Sequence, residues 1–111
     1  VIKPETSAEI TRMMINVFDN YFNGAKKLDH YSIAGKTGTA QIADHTTGGY
    51  YSDRNMHTFV GYFPAYDPQF IIFLLNEYPK NGAEFSSQTL IDPFLSITKF
   101  LINYYNIPPD R

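Results

Sequence analysis

The stretch Ala34-Gly35-Lys36-Thr37-Gly38-Thr39-Ala40-Gln41 decides the reading of this chain. It puts a cation, two hydroxyls and two glycines into one short extended segment, the chemistry of a wall that holds an anion. In a strand alternate side chains share a side, so Thr37 and Thr39 are expected to project together, with Lys36 and Gly38 opposite. Two neighbouring hydroxyls can hold a substrate carboxylate. Gly38 lacks a Cβ and admits another backbone, and an edge strand of this kind binds a peptide by taking it as a further strand. A backbone N–H near Thr39 can face the oxygen of a tetrahedral intermediate. Lys36 adds a fixed positive charge, which favours an anion and lowers the pKa of nearby proton-relay groups.

A phosphate loop of the form Gly-x-x-x-x-Gly-Lys-Ser/Thr is the nearest mechanistic rival, because Gly35-Lys36-Thr37 fits its end. Its first glycine would stand at His30, and a helix would have to open at Gly38, in a segment poor in helix formers. Nucleotide binding is set aside.

Ahead of the motif, Ile10, Met13, Met14, Val17, Phe18 and Tyr21 recur at helical spacing and predict one buried stripe. Thr6 and Glu9 form a candidate capping box behind Pro4, and Asn23-Gly24 supplies a stop, so the helix is expected to end near Phe22. The run from Tyr31 to Ala43 reads as a strand and the polar link from Ala43 to Met56 as a surface loop. Thr58 to Phe63 is a second strand, Pro64 to Pro68 a turn, and Phe70 to Glu77 a third strand in an antiparallel meander. Leu90, Phe94, Ile97, Leu101 and Tyr104 predict a closing helix over Thr89 to Tyr105, with Asp92-Pro93 as its cap and first-turn pair. The order helix, three strands, helix is an α+β unit with both helices on one sheet face. Because strand three is apolar almost throughout, the other face also needs cover.

A length of 111 residues allows a single unit with its own core, and 43% apolar residues with nine Tyr and nine Phe argue against disorder. A net charge of −2 leaves no electrostatic footprint for nucleic acid. Cysteine is absent, which excludes disulfides, thiolate metal sites and thiol nucleophiles. His30, His45 and His57 lack metal-ligand spacing and read as solvated or hydrogen-bonded surface residues, so no metal and no cofactor is assigned. Apolar runs fall far short of a membrane span, and a first residue of Val fits an excised or processed segment. Tyr50, Tyr51 and Arg54 are expected to pack their loop onto its own domain, with a groove-lining role as the lesser reading. Asp44, Asp53 and Glu77 form no acid/base pair, and Met13 and Met14 fill gaps in the core.

Lys-Thr-Gly is one of three signatures shared by penicillin-binding proteins and class A β-lactamases. The longer string from Ala34 to Gln41 resembles class B penicillin-binding proteins, the cell-division and elongation transpeptidases. Pro4-Glu5-Thr6, Phe59-Val60-Gly61-Tyr62-Phe63-Pro64-Ala65, Asp67-Pro68 and Tyr104-Tyr105-Asn106-Ile107-Pro108-Pro109 agree with that family's C-terminal region in order. The resemblance implies a partial β-lactamase/transpeptidase-like fold, with residues 1–111 as the C-terminal segment of a transpeptidase domain. It implies a serine D,D-transpeptidase that cross-links peptidoglycan stem peptides and is acylated by β-lactams. It also implies an extracytoplasmic or periplasmic location for a parent protein anchored in the cytoplasmic membrane. Lys36 and Thr39 would be its catalytic pair, and Lys36, Thr37, Gly38 and Thr39 its substrate-binding wall. The family's Ser-x-x-Lys and Ser-x-Asn should precede this motif. Ser96-Ile97-Thr98-Lys99 follows it and reads as a decoy, and Ser52-Asp53-Arg54-Asn55 is wrong in both order and spacing. The nucleophile is therefore expected from the remainder of the domain, and the isolated chain is expected to be inactive. A non-catalytic penicillin-sensing or peptide-binding module is the alternative.

Overall fold

The computed structural model describes residues 1–111, with helix α1 (Pro4–Asp19), a single 3-10 turn (Tyr21–Gly24), strands β1 (Ala34–Asp44), β2 (Gly49–Phe63) and β3 (Phe70–Glu77), and helix α2 (Ser86–Tyr105). The strands form one antiparallel sheet in the order β1-β2-β3, so β1 and β3 are both edges. Gly35 pairs with Gly61 and Gly61 with Ile72, and Thr37, Phe59 and Leu74 form the next inward row. The helix, three-stranded meander, helix order stands as expected.

The core lies between this sheet face and α2. Phe18, Phe59 and Phe94 are wholly buried and meet edge to face or tilted, with Phe59 and Phe94 centroids 4.7 Å apart. Glycine makes that approach possible: a Cβ on Gly61 would lie 2.5 Å from the Phe94 ring, and one on Gly35 2.9 Å from Phe18. At about 25 cal/mol per Å² of apolar surface removed from water, such rings dominate the stability of a small unit.

Helix α1 does not keep to that face. Phe18 reaches the shared core, but Ile15 packs with Ala34 and Ala65, and the Thr11 hydroxyl bonds the Tyr62 hydroxyl at 2.8 Å. Ala34 and Tyr62 are paired and point to the opposite side from Gly35 and Gly61, so α1 straddles the start of β1. The buried line of α1 is therefore Thr11, Ile15 and Phe18, with Met14 half-buried, whereas Ile10, Met13 and Val17 are exposed. The expected stripe was displaced by one helical position because a part-buried hydrogen bond to Tyr62 rewards a threonine. Met13 is accordingly no core residue.

Both helix starts also differ from the capping pattern expected. Lys3 precedes α1 without a side-chain cap, Pro4 opens the first turn, and Glu9 pairs with Arg12 instead of closing a box with Thr6. A proline there has no N–H to satisfy. Helix α1 ends at Asp19, because Asn20 turns its side-chain amide back to the Asn16 carbonyl at 2.7 Å. Helix α2 starts three residues before Thr89 and holds Pro93 in its interior. The Gln88 side chain accepts the N–H groups of Glu84 and Phe85, which anchors that earlier start.

The segment 44–55 is not a loop. Ala43 pairs with Tyr50 and Asp44 with Gly49, so β1 and β2 continue as a two-stranded arm, with a register shift between Gln41 and Ala43. The Arg54 guanidinium lies 4.1 Å from the Tyr51 ring and 5.0 Å from Tyr78, which fastens the irregular part of the arm to the end of β3. Tyr50 stays exposed.

The outer face of β3 remains open, with Ile71 71%, Phe73 62% and Leu75 52% exposed. At the other end a polar strap fixes the entry to β1. Arg111 makes a bidentate pair with Asp19 at 2.6 and 2.7 Å, while Asp110 accepts the Ser32 N–H and hydroxyl. The Asp19 carboxylate holds the Arg111 pKa above its ordinary value, chiefly through the hydrogen bonds.

Candidate active-site strand

The positions singled out in the sequence lie together on β1, the edge strand. The Thr37 N–H donates to the Tyr21 hydroxyl at 3.3 Å and so points off the outer edge, away from β2. N–H directions repeat every second residue along a strand, so the Thr39 N–H points off the same edge, where no strand lies. Lys36 is exposed, and its ammonium curls round to donate to the Thr37 carbonyl at 2.8 Å. Both backbone groups of Thr37 are thus engaged by side chains of this chain, which leaves Thr39 as the first open position for an incoming strand.

The two hydroxyls follow the alternation expected of them. Thr37 Oγ1 accepts from the Tyr21 hydroxyl at 3.2 Å. Thr39 Oγ1 accepts the N–H of Ser86, the first residue of α2, at 3.1 Å. A hydroxyl has one proton and two lone pairs, so each threonine that accepts from the protein keeps its own proton for a ligand. The helix N-terminus behind Thr39 carries the positive end of the helix dipole. This corner of the sheet therefore combines two hydroxyl donors, an outward N–H, an ammonium and a helix start, all suited to a carboxylate or an oxyanion.

Gly38 has a reason seated in the sheet itself. A Cβ there would collide with the Thr58 hydroxyl across the strand pair, and that hydroxyl donates to the Gly38 carbonyl at 3.4 Å. The space a side chain would fill is used by β2 rather than left free.

His57 corrects the expectation of a surface histidine. It is fully buried, with Nδ1 2.8 Å from the Thr89 hydroxyl and Nε2 3.1 Å from the Glu84 carbonyl. A carbonyl only accepts, so Nε2 carries a proton. With the Ser86 hydroxyl on the Thr58 carbonyl at 2.9 Å, His57 ties the start of α2 to β2 and so holds Ser86 in place behind Thr39. Its place two residues before Phe59 on the inward row was the signal for burial. Nothing in the sequence marked Tyr21 and Ser86 as partners of the motif, since they lie 16 and 47 residues from the threonines they bond.

Ser96 and Lys99 lie on the exposed side of α2, and the Ser96 hydroxyl is spent on the Asp92 carbonyl at 3.0 Å. The hollow they share is lined by residues 25–28, not by β1. The histidines and carboxylates include no group of three or more placed to hold a metal ion.

Residues 1–96 match the family model described as the penicillin-binding protein transpeptidase domain. The chain is 34% identical over 97% of its length to penicillin-binding protein PbpB of Mycolicibacterium smegmatis, and 35% identical over 74% of its length to a peptidoglycan D,D-transpeptidase FtsI homolog of Nephroselmis olivacea. It spans 18% and 11% of those relatives. Among solved structures it is similar to penicillin-binding protein 3 of Mycobacterium tuberculosis complexed with ampicillin, with a TM-score of 0.80 and 26% identity over 97% of this chain and 26% of that one. The family model covers α1, the three strands with the β1 motif and the first half of α2, and the chain belongs to the penicillin-binding protein transpeptidase domain family.

Proposed function

We infer that residues 1–111 are the C-terminal segment of the transpeptidase domain of a class B penicillin-binding protein. In this reading the whole protein is a serine D,D-transpeptidase that cross-links peptidoglycan stem peptides and is acylated by β-lactams. The observation that carries it is the edge of β1, where the hydroxyls of Thr37 and Thr39 both accept from the protein and retain a proton to donate, beside the Lys36 ammonium. Relatives named as D,D-transpeptidases, and a similar fold solved with ampicillin, support the same reading.

Within it, Thr37 and Thr39 bind the substrate carboxylate, and the Thr39 N–H faces the oxyanion as the carbonyl becomes tetrahedral. Losing one such donor costs about 10²–10³ in rate. Lys36 leaves the Thr37 carbonyl to favour the anion and the proton relay. The attacking serine and its lysine come from the remainder of the domain, which also covers Ile71, Phe73 and Leu75. No helix here is long and apolar enough to cross a membrane. A periplasmic or other extracytoplasmic site for the parent, tethered by a membrane anchor, is part of the proposal.

Labelling with a fluorescent penicillin tests it. The 111-residue chain should stay unlabelled, and a version extended toward the N-terminus should label covalently. In the extended protein Lys36→Ala should slow labelling at least 100-fold, on the order of one lost electrostatic contact in the transition state. Labelling of the short chain at Ser96, or a Lys36→Ala variant as fast as its parent, would sink the assignment.

A further inference from the structure

The geometry points to Tyr21 as a positioning residue that acts through Thr37, holding that hydroxyl as a hydrogen donor toward the substrate carboxylate. The inference rests on the transpeptidase reading above.

Tyr21 opens the 3-10 turn after α1 and lies outside the Lys-Thr-Gly motif. Its ring stands edge-on to Phe18 at 5.9 Å, and Phe18 is wholly buried, so the phenol is aimed from the core rather than from a free surface. Its oxygen then meets two groups of one residue: the Thr37 N–H at 3.3 Å and Thr37 Oγ1 at 3.2 Å. An N–H can only donate, so the phenol oxygen accepts there. Its single proton goes to Oγ1. Thr37 Oγ1 has then accepted its bond from the protein, and its own proton is the one left to offer. One lone pair is filled by the phenol, and without that contact nothing holds the rotation of the Thr37 hydroxyl. A carboxylate needs the donor.

The turn that presents Tyr21 is held in an unusual conformation. Phe22 and Asn23 have φ of 52° and 56°, successive non-glycine residues in the left-handed region, followed by Gly24 at 86°. Lys26 fixes it from the far side, with its ammonium 5.6 Å from the Phe22 ring and paired to Asp92 of α2. Such residues persist only where the surroundings over-determine them. The reversal follows directly on Tyr21, whose hydroxyl lies on the outer edge of β1.

The test uses the full-length protein that carries this segment, with Tyr21→Phe, which keeps the ring and removes only the hydroxyl. Acylation rates are measured with a penicillin and with the methyl ester of the same penicillin, which lacks the carboxylate. Tyr21→Phe should slow the acid about tenfold, roughly one hydrogen bond to a charged group, and leave the ester unchanged. Tyr21→Phe combined with Thr37→Val should be no slower with the acid than Thr37→Val alone, because one acts through the other. The Thr37 amide should exchange faster with solvent in Tyr21→Phe. Equal slowing of acid and ester would mean a purely structural role, and multiplicative losses in the double variant would mean independent action. Either overturns the proposal, as does an unchanged rate with the acid. If the parent takes up no penicillin, the transpeptidase reading fails on its own, and the Thr37 exchange still shows whether Tyr21 covers that N–H. Unchanged exchange overturns the contact itself.

Discussion

The two faces of the sheet are built from the same three strands, yet one is sealed and the other is open beyond the end where α1 packs on Ala34 and Ala65. On the sealed side Gly35, Phe59 and Gly61 are buried beneath Phe18 and Phe94, and Phe63 is buried beside Phe70. On the open side Ile71, Phe73 and Leu75 are more than half exposed in a strand whose alternate residues, Ile72 and Leu74, pack against the core. Apolar character alone therefore does not say which face a helix covers. What distinguishes the sealed face is the pairing of glycine with aromatic side chains: Gly61 is cut away where Phe94 descends, and Gly35 where Phe18 does. The motif strand inherits its order from that side, since Thr37 and Thr39 continue the same row out to Tyr21 and Ser86.

The contrast can be broken most severely at its centre. Phe94→Ala empties the middle of the aromatic cluster and should cost about 3–5 kcal/mol, read as a loss of cooperative unfolding or a large drop in midpoint by circular dichroism. The matched change on the open face, Phe73→Ser, should leave the midpoint of this chain almost unmoved, within about 0.5 kcal/mol. Equal losses would mean that the open face carries stability of its own. Gly61→Ala probes the fit more finely. Its new Cβ would sit 2.5 Å from the Phe94 ring, so destabilisation of about 1–3 kcal/mol is expected by chemical denaturation. Phe94→Leu in the same chain should return part of that loss by relieving the collision. A neutral Gly61→Ala would mean that glycine does not set the approach of α2.

These features divide by how far the deciding contact lies along the chain. The apolar run in Phe70 to Glu77 and the polar small-residue run at Lys36 to Thr39 are local, and both strands were legible from them. The face of α1 was not, because Thr11 is buried by a tyrosine 51 residues away. The start of α2 was missed for a similar reason: Thr39 and Gln88 satisfy backbone N–H groups that composition near Asp92-Pro93 does not reveal. Polar composition also hid the arm from Asp44 to Asn55, whose strands are held by backbone pairing and by Arg54 between two tyrosines, with no core to leave an apolar period. The motif's residues could be named in advance, and the groups that orient them could not.

The arm extends the comparison to a region where neither face is covered by a helix, so its turn must hold by local polar bonds. Asp44 accepts from the Thr46 N–H at 2.9 Å, the Thr46 hydroxyl at 2.6 Å and the Thr47 hydroxyl at 3.0 Å, while the Gly48 N–H bonds the Asp44 carbonyl. The Thr46 hydroxyl, followed by its N–H, holds the Asp44 carboxyl below its ordinary pKa. A carboxyl whose folded-state pKa is depressed contributes stability above its unfolded value and loses it as pH falls through the folded one. Protection of the Thr46 amide from hydrogen exchange, corrected for intrinsic rates, should accordingly hold at neutral pH and decline below the usual carboxylate range, about pH 4. Asp44→Asn keeps one acceptor oxygen and cannot titrate, so its protection should be lower at neutral pH and flat with acid. If the variant declines as the parent does, the pH dependence belongs to the sheet as a whole, and the arm would have to be counted with the sealed core rather than apart from it.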